Sequence, residues 1–454
     1  MTSHFSRPHA PSISRRRLMQ SGAAFAAAGA LGGPAGLEPT LAQDEQVTID
    51  VWLGGEPGTV NSYTEIFEAF MASQSNVTIK ATFVGSDLFN PTLLPALNAG
   101  EGPSIWMGGT GPGQPAAIIE AGHPLDITSY YCEYGWKIPE EIVSLTSSDG
   151  KLWAVGDSVE TTTTFYNKRI FDEVGITVPE SWDDFMECCS QLVEAGYSTP
   201  VGLGAADRWP ISHWQTMFWG RYAGPEGLDE VMFGEGRWDE DHFVEATRKL
   251  AEINEAGYFG PEPLAVFQDD LIGQFWRGDV PMVYTGPWII GQAVRDLGEG
   301  IAEFGTFQFP PLTEDQVIYP TEGIGQGWYI NSQFEHPDVA AALLDFMLFR
   351  PESRQLMLES GDNVPVGPLD LESVELPDLS REVLESKEQY RENGLIHAFL
   401  DTVTPANMTD VTYDGLQALI AGQMQPEEFN AAVQAAWEEA KAQDLQLKPG
   451  GVTC

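Results

Sequence analysis

Aromatic rings and carboxylates are the residues of this 454-residue chain whose types and placement could do chemistry. Thirteen tryptophans is a high number, and several stand among loop-forming residues instead of on helical stripes. Trp288 follows Gly286-Pro287, while Trp209, Trp214 and Trp219 cluster in and just after Asp207-Arg208-Trp209-Pro210-Ile211-Ser212-His213-Trp214-Gln215. A ring offers a large apolar face, and a carboxylate or amide offers a polar tip. Together they suit a ligand with C–H faces and a fringe of hydroxyls, which is the surface of a sugar or polyol. Arg208 and His213 add hydrogen-bond donors, and the glycines of Gly323-Ile324-Gly325-Gln326-Gly327-Trp328 would let backbone approach a ligand closely.

The rival chemistry is glycosidic cleavage by two carboxyls about 5–10 Å apart. A chain with 67 acidic residues offers many such pairs by chance, so carboxylates alone decide nothing. The sequence has no GxSxG elbow, HExxH zinc motif or P-loop. An enzyme is therefore not expected, and neither a cofactor nor a metal is. Cys188 and Cys189 are neighbours on a predicted helix, where their side chains diverge by about 100° and do not pair with each other. With Cys132 and Cys454 they fit neither a zinc ribbon nor a CxxC motif. The four read as buried or incidental thiols, the one bridge considered being Cys132 to one of the vicinal pair.

These side chains need a frame. Val47 to Leu53 is a short β-branched run, followed by the turn Gly54-Gly55-Glu56-Pro57-Gly58. Tyr63, Ile66, Phe67, Phe70 and Met71 then recur at helical spacing, and Val77 to Val84 returns to strand character. Such an opening predicts a parallel sheet flanked by helices, with ligands beyond the carboxyl ends of its strands. The turn is therefore a candidate cleft edge and Glu56 a candidate ligand group. Ser181 predicts an N-cap before Trp182, with acids in the first turn and Trp182, Phe185, Met186, Cys189, Leu192 and Val193 as the buried stripe. Helices are also predicted from Pro337, with Ala340, Leu343, Leu344 and Met347 inward, and from Pro426, with Phe429, Val433, Ala436 and Trp437 inward. Residues 364–382 read as a crossover.

The chain is 43% hydrophobic, enough for a large core, and its length predicts two lobes. A net charge of −44 leaves no basic footprint for nucleic acid. Near the start, Ser14-Arg15-Arg16-Arg17-Leu18-Met19-Gln20 resembles a twin-arginine export motif. An Ala/Gly-rich stretch, Ser21 to Gly36, and a small-residue site, Thr40-Leu41-Ala42, come after it. Residues 1–42 are thus expected to be a signal peptide, giving an extracytoplasmic protein in which a disulfide is permitted.

Several stretches, in order, resemble family 1 extracellular solute-binding proteins, the maltodextrin-binding-like receptors of bacterial ABC importers. Phe165-Tyr166-Asn167-Lys168 through Ile176 with Pro179-Glu180-Ser181-Trp182-Asp183-Asp184-Phe185 is one; Gly278 to Trp288, the glycine-rich strand Gly323 to Ile330, the His336-Pro337 helix, Gly361 to Pro365 and the last helix are others. The resemblance covers nearly all of residues 47–441. It implies an α/β, two-lobed periplasmic-binding-protein type II fold, with parallel-rich sheets flanked by helices and lobes joined by crossing hinge strands. Lobe 1 is expected at 43–156 and 328–375, lobe 2 at 157–327 and 376–454, and the crossings near Val155 to Glu160, Gly323 to Gly327 and 364–385.

By the same resemblance, Trp288 is the ring beneath a sugar, Trp209 and Trp214 (with Asp207 and His213 in their segment) supply lobe-2 contacts, and Glu160 is the cleft carboxylate, with Asp157 upstream. Thr110 lies where relatives place ligand groups, although glycines flank it here. Asp410 and Tyr413 are placed on a loop that forms a wall, and Gly325 and Gln326 on the second crossing. The implied function is capture of a mono- or oligosaccharide or polyol for ABC permease subunits, by a protein expected to be monomeric. The alternatives are a secreted carbohydrate-active enzyme and a structural surface protein, the latter disfavoured by the lack of repeats or an anchor.

Overall fold

The computed structural model describes residues 45–54, 61–84, 86–113, 115–369, 371, 374–396, 399–447 and 451–454. The signal-peptide segment and Glu56 lie outside the described residues. In chain order the strands of the two main sheets are β1 (Val47–Gly54), β2 (Val77–Val84), β3 (Ile105–Gly108), β4 (Ala154–Gly156), β5 (Val159–Asn167), β6 (Val201–Gly202), β7 (Met282–Thr285), β8 (Phe304–Phe307), β9 (Thr321–Ile324) and β10 (Gly327–Ile330). The helices that frame them include α1 (Asn61–Ser73), α2 (Thr128–Tyr134), α3 (Trp182–Glu194), α4 (Trp209–Phe233), α5 (Asp241–Glu255), α6 (Gln268–Arg277), α7 (Pro337–Phe349), α8 (Asp378–Tyr390), α9 (Leu400–Val403), α10 (Ala406–Ile420) and α11 (Pro426–Ala442).

Two sheets form. The first has the order β2-β1-β3-β10-β4, and the second β8-β5-β7-β6, with β9 added to β5. In β1, Val47, Ile49, Val51 and Leu53 are buried while Thr48 and Asp50 between them are exposed, as the two-residue period of a strand requires. Their apolar side shares a core with Tyr63, Ile66, Phe67 and Phe70 of α1. Each such side chain contributes about 1.5–3 kcal/mol on full burial. The sheets are mixed, not parallel-rich throughout. β1 is parallel to β2 and β3, and β6 to β7, whereas β10 is antiparallel to β3 and β4, and β5 to β7, β8 and β9. None of these antiparallel pairs is a hairpin: their strands are brought together by long connections, while short links carry the chain from one sheet to the other.

Three such links meet side by side. Asp157 and Ser158 join β4 to β5, and Gly325 and Gln326 join β9 to β10. The third runs through Val364 to Val366, where Val159 N–H donates to Val364 O (2.8 Å) and Val366 N–H to Asp157 O (3.4 Å). The two halves touch again elsewhere. Gly111 and Gly113 of the loop after β3 lie against the backbone of Thr402 and of Thr404 to Ala406, so close that a Cβ at Gly113 would stand 2.6 Å from Thr404 O.

Local expectations fare variously. Ser181 Oγ accepts from Asp184 N–H (3.2 Å) and caps α3, but Val193, placed on the buried stripe, is 45% exposed near the helix end. Trp209, Trp214 and Trp219 are not loop residues: Arg208 at φ 66° and Pro210 in the first turn start α4, which carries all three. Asp410 and Tyr413 likewise lie on α10, not on a loop. The cysteine reading holds for the vicinal pair and fails for Cys132 and Cys454. Cys132 on α2 forms a disulfide with Cys454, 322 residues later, and Cys188 and Cys189 are buried free thiols. The vicinal pair is built into α3, in the core with Phe185 and Leu192, whereas α2 belongs with α7, to which Tyr130 OH donates at Asp338 Oδ1 (2.5 Å).

Candidate binding site

The junction of the crossings gathers polar groups. Asp157 is 3% exposed. Its Oδ1 accepts from Gln326 N–H (3.0 Å) and Ser158 Oγ (2.9 Å), and its Oδ2 accepts from Tyr63 OH (3.0 Å). Tyr63 in turn accepts from Asn363 Nδ2 (3.3 Å). Glu160, at the start of β5, is half-buried and its Oε1 lies 3.2 Å from Ser158 Oγ. Burial, and then the neighbouring Asp157 charge, push the Glu160 carboxyl up to about 8. Burial raises Asp157 too, against the four hydrogen bonds that favour its anion. Gly325 stands over this pair, where a Cβ would meet Glu160 Oε1 at 2.5 Å and Ser158 Oγ at 2.6 Å. Only glycine leaves the carboxyl that space.

A ring wall adjoins it. Antiparallel pairing of Thr163 with Thr285 brings the Gly286-Pro287-Trp288 turn to the end of β5 that carries Glu160. Trp288 is half-buried, with its centroid 5.8 Å from Trp209 and 6.0 Å from His213, both edge-on. His213 stacks on Phe399 at 4.3 Å, and Phe399 packs against Gly323, the β9 partner of Glu160. His213 Nε2 lies 3.8 Å from Asp401 Oδ1, and Tyr413 OH donates to Asp401 Oδ2 (2.9 Å). His213 Nδ1 and Asp401 Oδ1 are buried with no hydrogen-bond partner among the described residues. The arrangement offers ring faces, buried donors and acceptors, and one carboxyl pair.

Trp288, Glu160, Asp157, Gly325, Gln326, Trp209, His213 and Tyr413 are thus brought together. Trp214 is not: it is fully buried among Phe218, Phe259, Tyr284 and Phe309, because five residues past Trp209 on α4 it points about 140° round the helix, into the core. Asp207 Oδ2 accepts from Gln268 N–H (2.6 Å) at the start of α6, a structural use. Asp410 is exposed, with its carbonyl accepting from Arg208 Nη2 (3.5 Å), and Arg208 itself pairs with Asp414. Thr110 is fully buried beside Gly327, its hydroxyl without a partner among the described residues. Sequence reasoning missed Tyr63, Ser158, Asn363, Phe399 and Asp401. Tyr63 was legible only as part of a helical stripe, and the others carry no local signal.

Two α/β halves joined by three short crossings, with rings and carboxyls at the junction, define a two-lobed binding protein. The chain belongs to the bacterial extracellular solute-binding protein family, whose model matches residues 56–351. It is similar to the arabinooligosaccharide-binding protein of Halalkalibacterium halodurans, 35% identical over 221 residues, which are 46% of each chain. The chain therefore matches about half the length of that curated relative. Among solved structures it resembles a chitin oligosaccharide binding protein (TM-score 0.76, 20% identity, covering 87% of this chain and 99% of that one). It also resembles the GacH receptor of Streptomyces glaucescens, solved unliganded and with acarbose (TM-score 0.72, 16% identity, covering 86% and 97%). At these identities the structures show a shared fold.

Proposed function

We propose that the chain is the extracytoplasmic substrate-binding component of an ABC importer and that it clamps a sugar, favouring oligosaccharides, between its lobes without altering it. The lobes are assigned to 43–156 with 328–375 and to 157–327 with 376–454, save that the last residues, through Cys454 and its bond to Cys132, return to the first lobe, and export is assigned to the twin-arginine segment in residues 1–42. The observation that carries the reading is the half-buried Trp288, flanked by Trp209 and His213 at the end of β5 that bears Glu160. A ring face covers the C–H side of a pyranose or furanose, while carboxyl, amide and backbone groups take its hydroxyls. Each buried hydroxyl left unpaired costs about 1–3 kcal/mol, which is how such a site selects among sugars. The similar proteins, which bind arabino- and chito-oligosaccharides or acarbose, support this ligand class.

A thermal-shift screen over arabino-oligosaccharides, chito-oligosaccharides, raffinose, monosaccharides and polyols tests it. A sugar at about 100 times its Kd adds about 2.7 kcal/mol of stability. Chromatography must recover that sugar intact. Turnover would make the protein an enzyme, and a screen without any stabilised melt would reject sugar binding.

A further inference from the structure

The carboxyl pair at the hinge contains one hydrogen bond too many for its protons. Ser158 Oγ lies 2.9 Å from Asp157 Oδ1 and 3.2 Å from Glu160 Oε1, yet a hydroxyl has a single hydrogen to donate. If both carboxyls were anions, one contact would set a lone pair against a carboxylate. Asp157 is the better anion, since it also accepts from Gln326 N–H and Tyr63 OH, whereas the Ser158 contact is the only hydrogen bond to the Glu160 carboxyl among the described residues.

We infer that Glu160 works as an uncharged carboxylic acid donating its proton to Ser158 Oγ, and that Ser158 is a positioning residue that passes the order on and holds Asp157 as the one anionic acceptor at the hinge. The proton arrangement runs from Glu160 O–H to Ser158 Oγ, and from Ser158 O–H to Asp157. It spans two of the three crossings directly, because Asp157 also binds the Gln326 N–H of the second.

The surroundings agree. Among the described residues, no Lys, Arg or His comes within ion-pair distance of Asp157 or Glu160. The nearby acids are already matched: Glu322 with Lys387 (2.7 Å) and Asp362 with Arg295 (2.7 Å). Tyr63, facing from α1, stays neutral because burial and Asp157 raise it well above its ordinary value. Burial and the Asp157 charge likewise push Glu160 up to about 8. A carboxyl raised on folding stabilises the native state fully below its ordinary range, and that contribution is lost as pH rises through about 8.

The test uses ligand-free protein. An infrared difference spectrum, wild type minus Glu160→Gln, should contain a carboxylic-acid carbonyl band at neutral pH that disappears as pH rises through about 8. Between about pH 6 and about pH 9 the melting temperature of the wild type should fall, and Glu160→Gln, which keeps an uncharged donor, should at least halve that fall. Ser158→Ala should shift the midpoint of the band, and Ser158→Thr should restore it. No acid band at neutral pH, or an unchanged pH slope in Glu160→Gln, overturns the inference. Should that variant not fold, a wild-type spectrum without an acid band titrating near that pH does the same. Neither readout uses a sugar, so failure of the binding proposal and failure of this one are separable.

Discussion

Two tryptophans five residues apart on one helix have different fates. Trp209 meets Trp288 and His213 at the cleft, and Trp214 is sealed in the core. Trp288→Ala should weaken binding of the sugar found by the screen at least tenfold, about 1.4 kcal/mol, while leaving the melt of the free protein nearly unchanged. Calorimetry checks it, and wild-type affinity would remove the ring from the site. Trp214→Ala should instead lower unfolding stability by about 3–5 kcal/mol in a denaturant titration, as expected of a fully buried ring. Residue type did not separate these cases. Sequence pointed to rings plus carboxyls and to Glu160, but exposure is a property of the neighbours. Asp401 and Phe399 join the wall only because α9 and its leading residue pack on α4, where Leu400 N–H donates to Thr216 Oγ1 (3.2 Å).

At the scale of elements, caps and short links do the positioning. Ser181→Ala should cost about 0.5–2 kcal/mol in chemical denaturation, because it leaves the Asp184 N–H without its side-chain acceptor. α11 was legible from Pro426 and its apolar spacing, and its capping box, in which Gln425 and Glu428 serve each other's backbone, agrees. The path of the chain beyond α11 was not legible. α11 packs with α10 and α5, yet Val452 joins the core and Cys454 reaches α2, so the last residues return to the half that holds β1. Closing so long a loop should make the Cys132–Cys454 bond worth about 2–4 kcal/mol, measured as the stability difference between the wild type and the Cys132→Ser/Cys454→Ser variant. Equal denaturation midpoints for the two would count against it.

For the whole molecule, the three crossings and the contact of Gly111 and Gly113 with Thr402 to Ala406 describe halves that meet on both sides of the site. Gly113→Ala would put a methyl group 2.6 Å from Thr404 O, closer than van der Waals contact allows. The sugar-saturated variant should therefore keep a larger radius of gyration than the sugar-saturated wild type in small-angle scattering, and bind more weakly. A ligand shifts a hinge only by its differential affinity for the closed form, so a blocked closure reduces apparent affinity without touching the ligand. The order of strands and helices, the Ser181 cap, the alternating face of β1 and the segments resembling the solute-binding family are all determined by the sequence, because each depends on residues a few positions apart. Tertiary structure alone decided which rings face the cleft, which cysteines pair and which carboxyl keeps a proton. Those outcomes rest on contacts between distant parts of the chain, such as Tyr63 with Asn363 and Cys132 with Cys454, and on burial that no local spacing encodes.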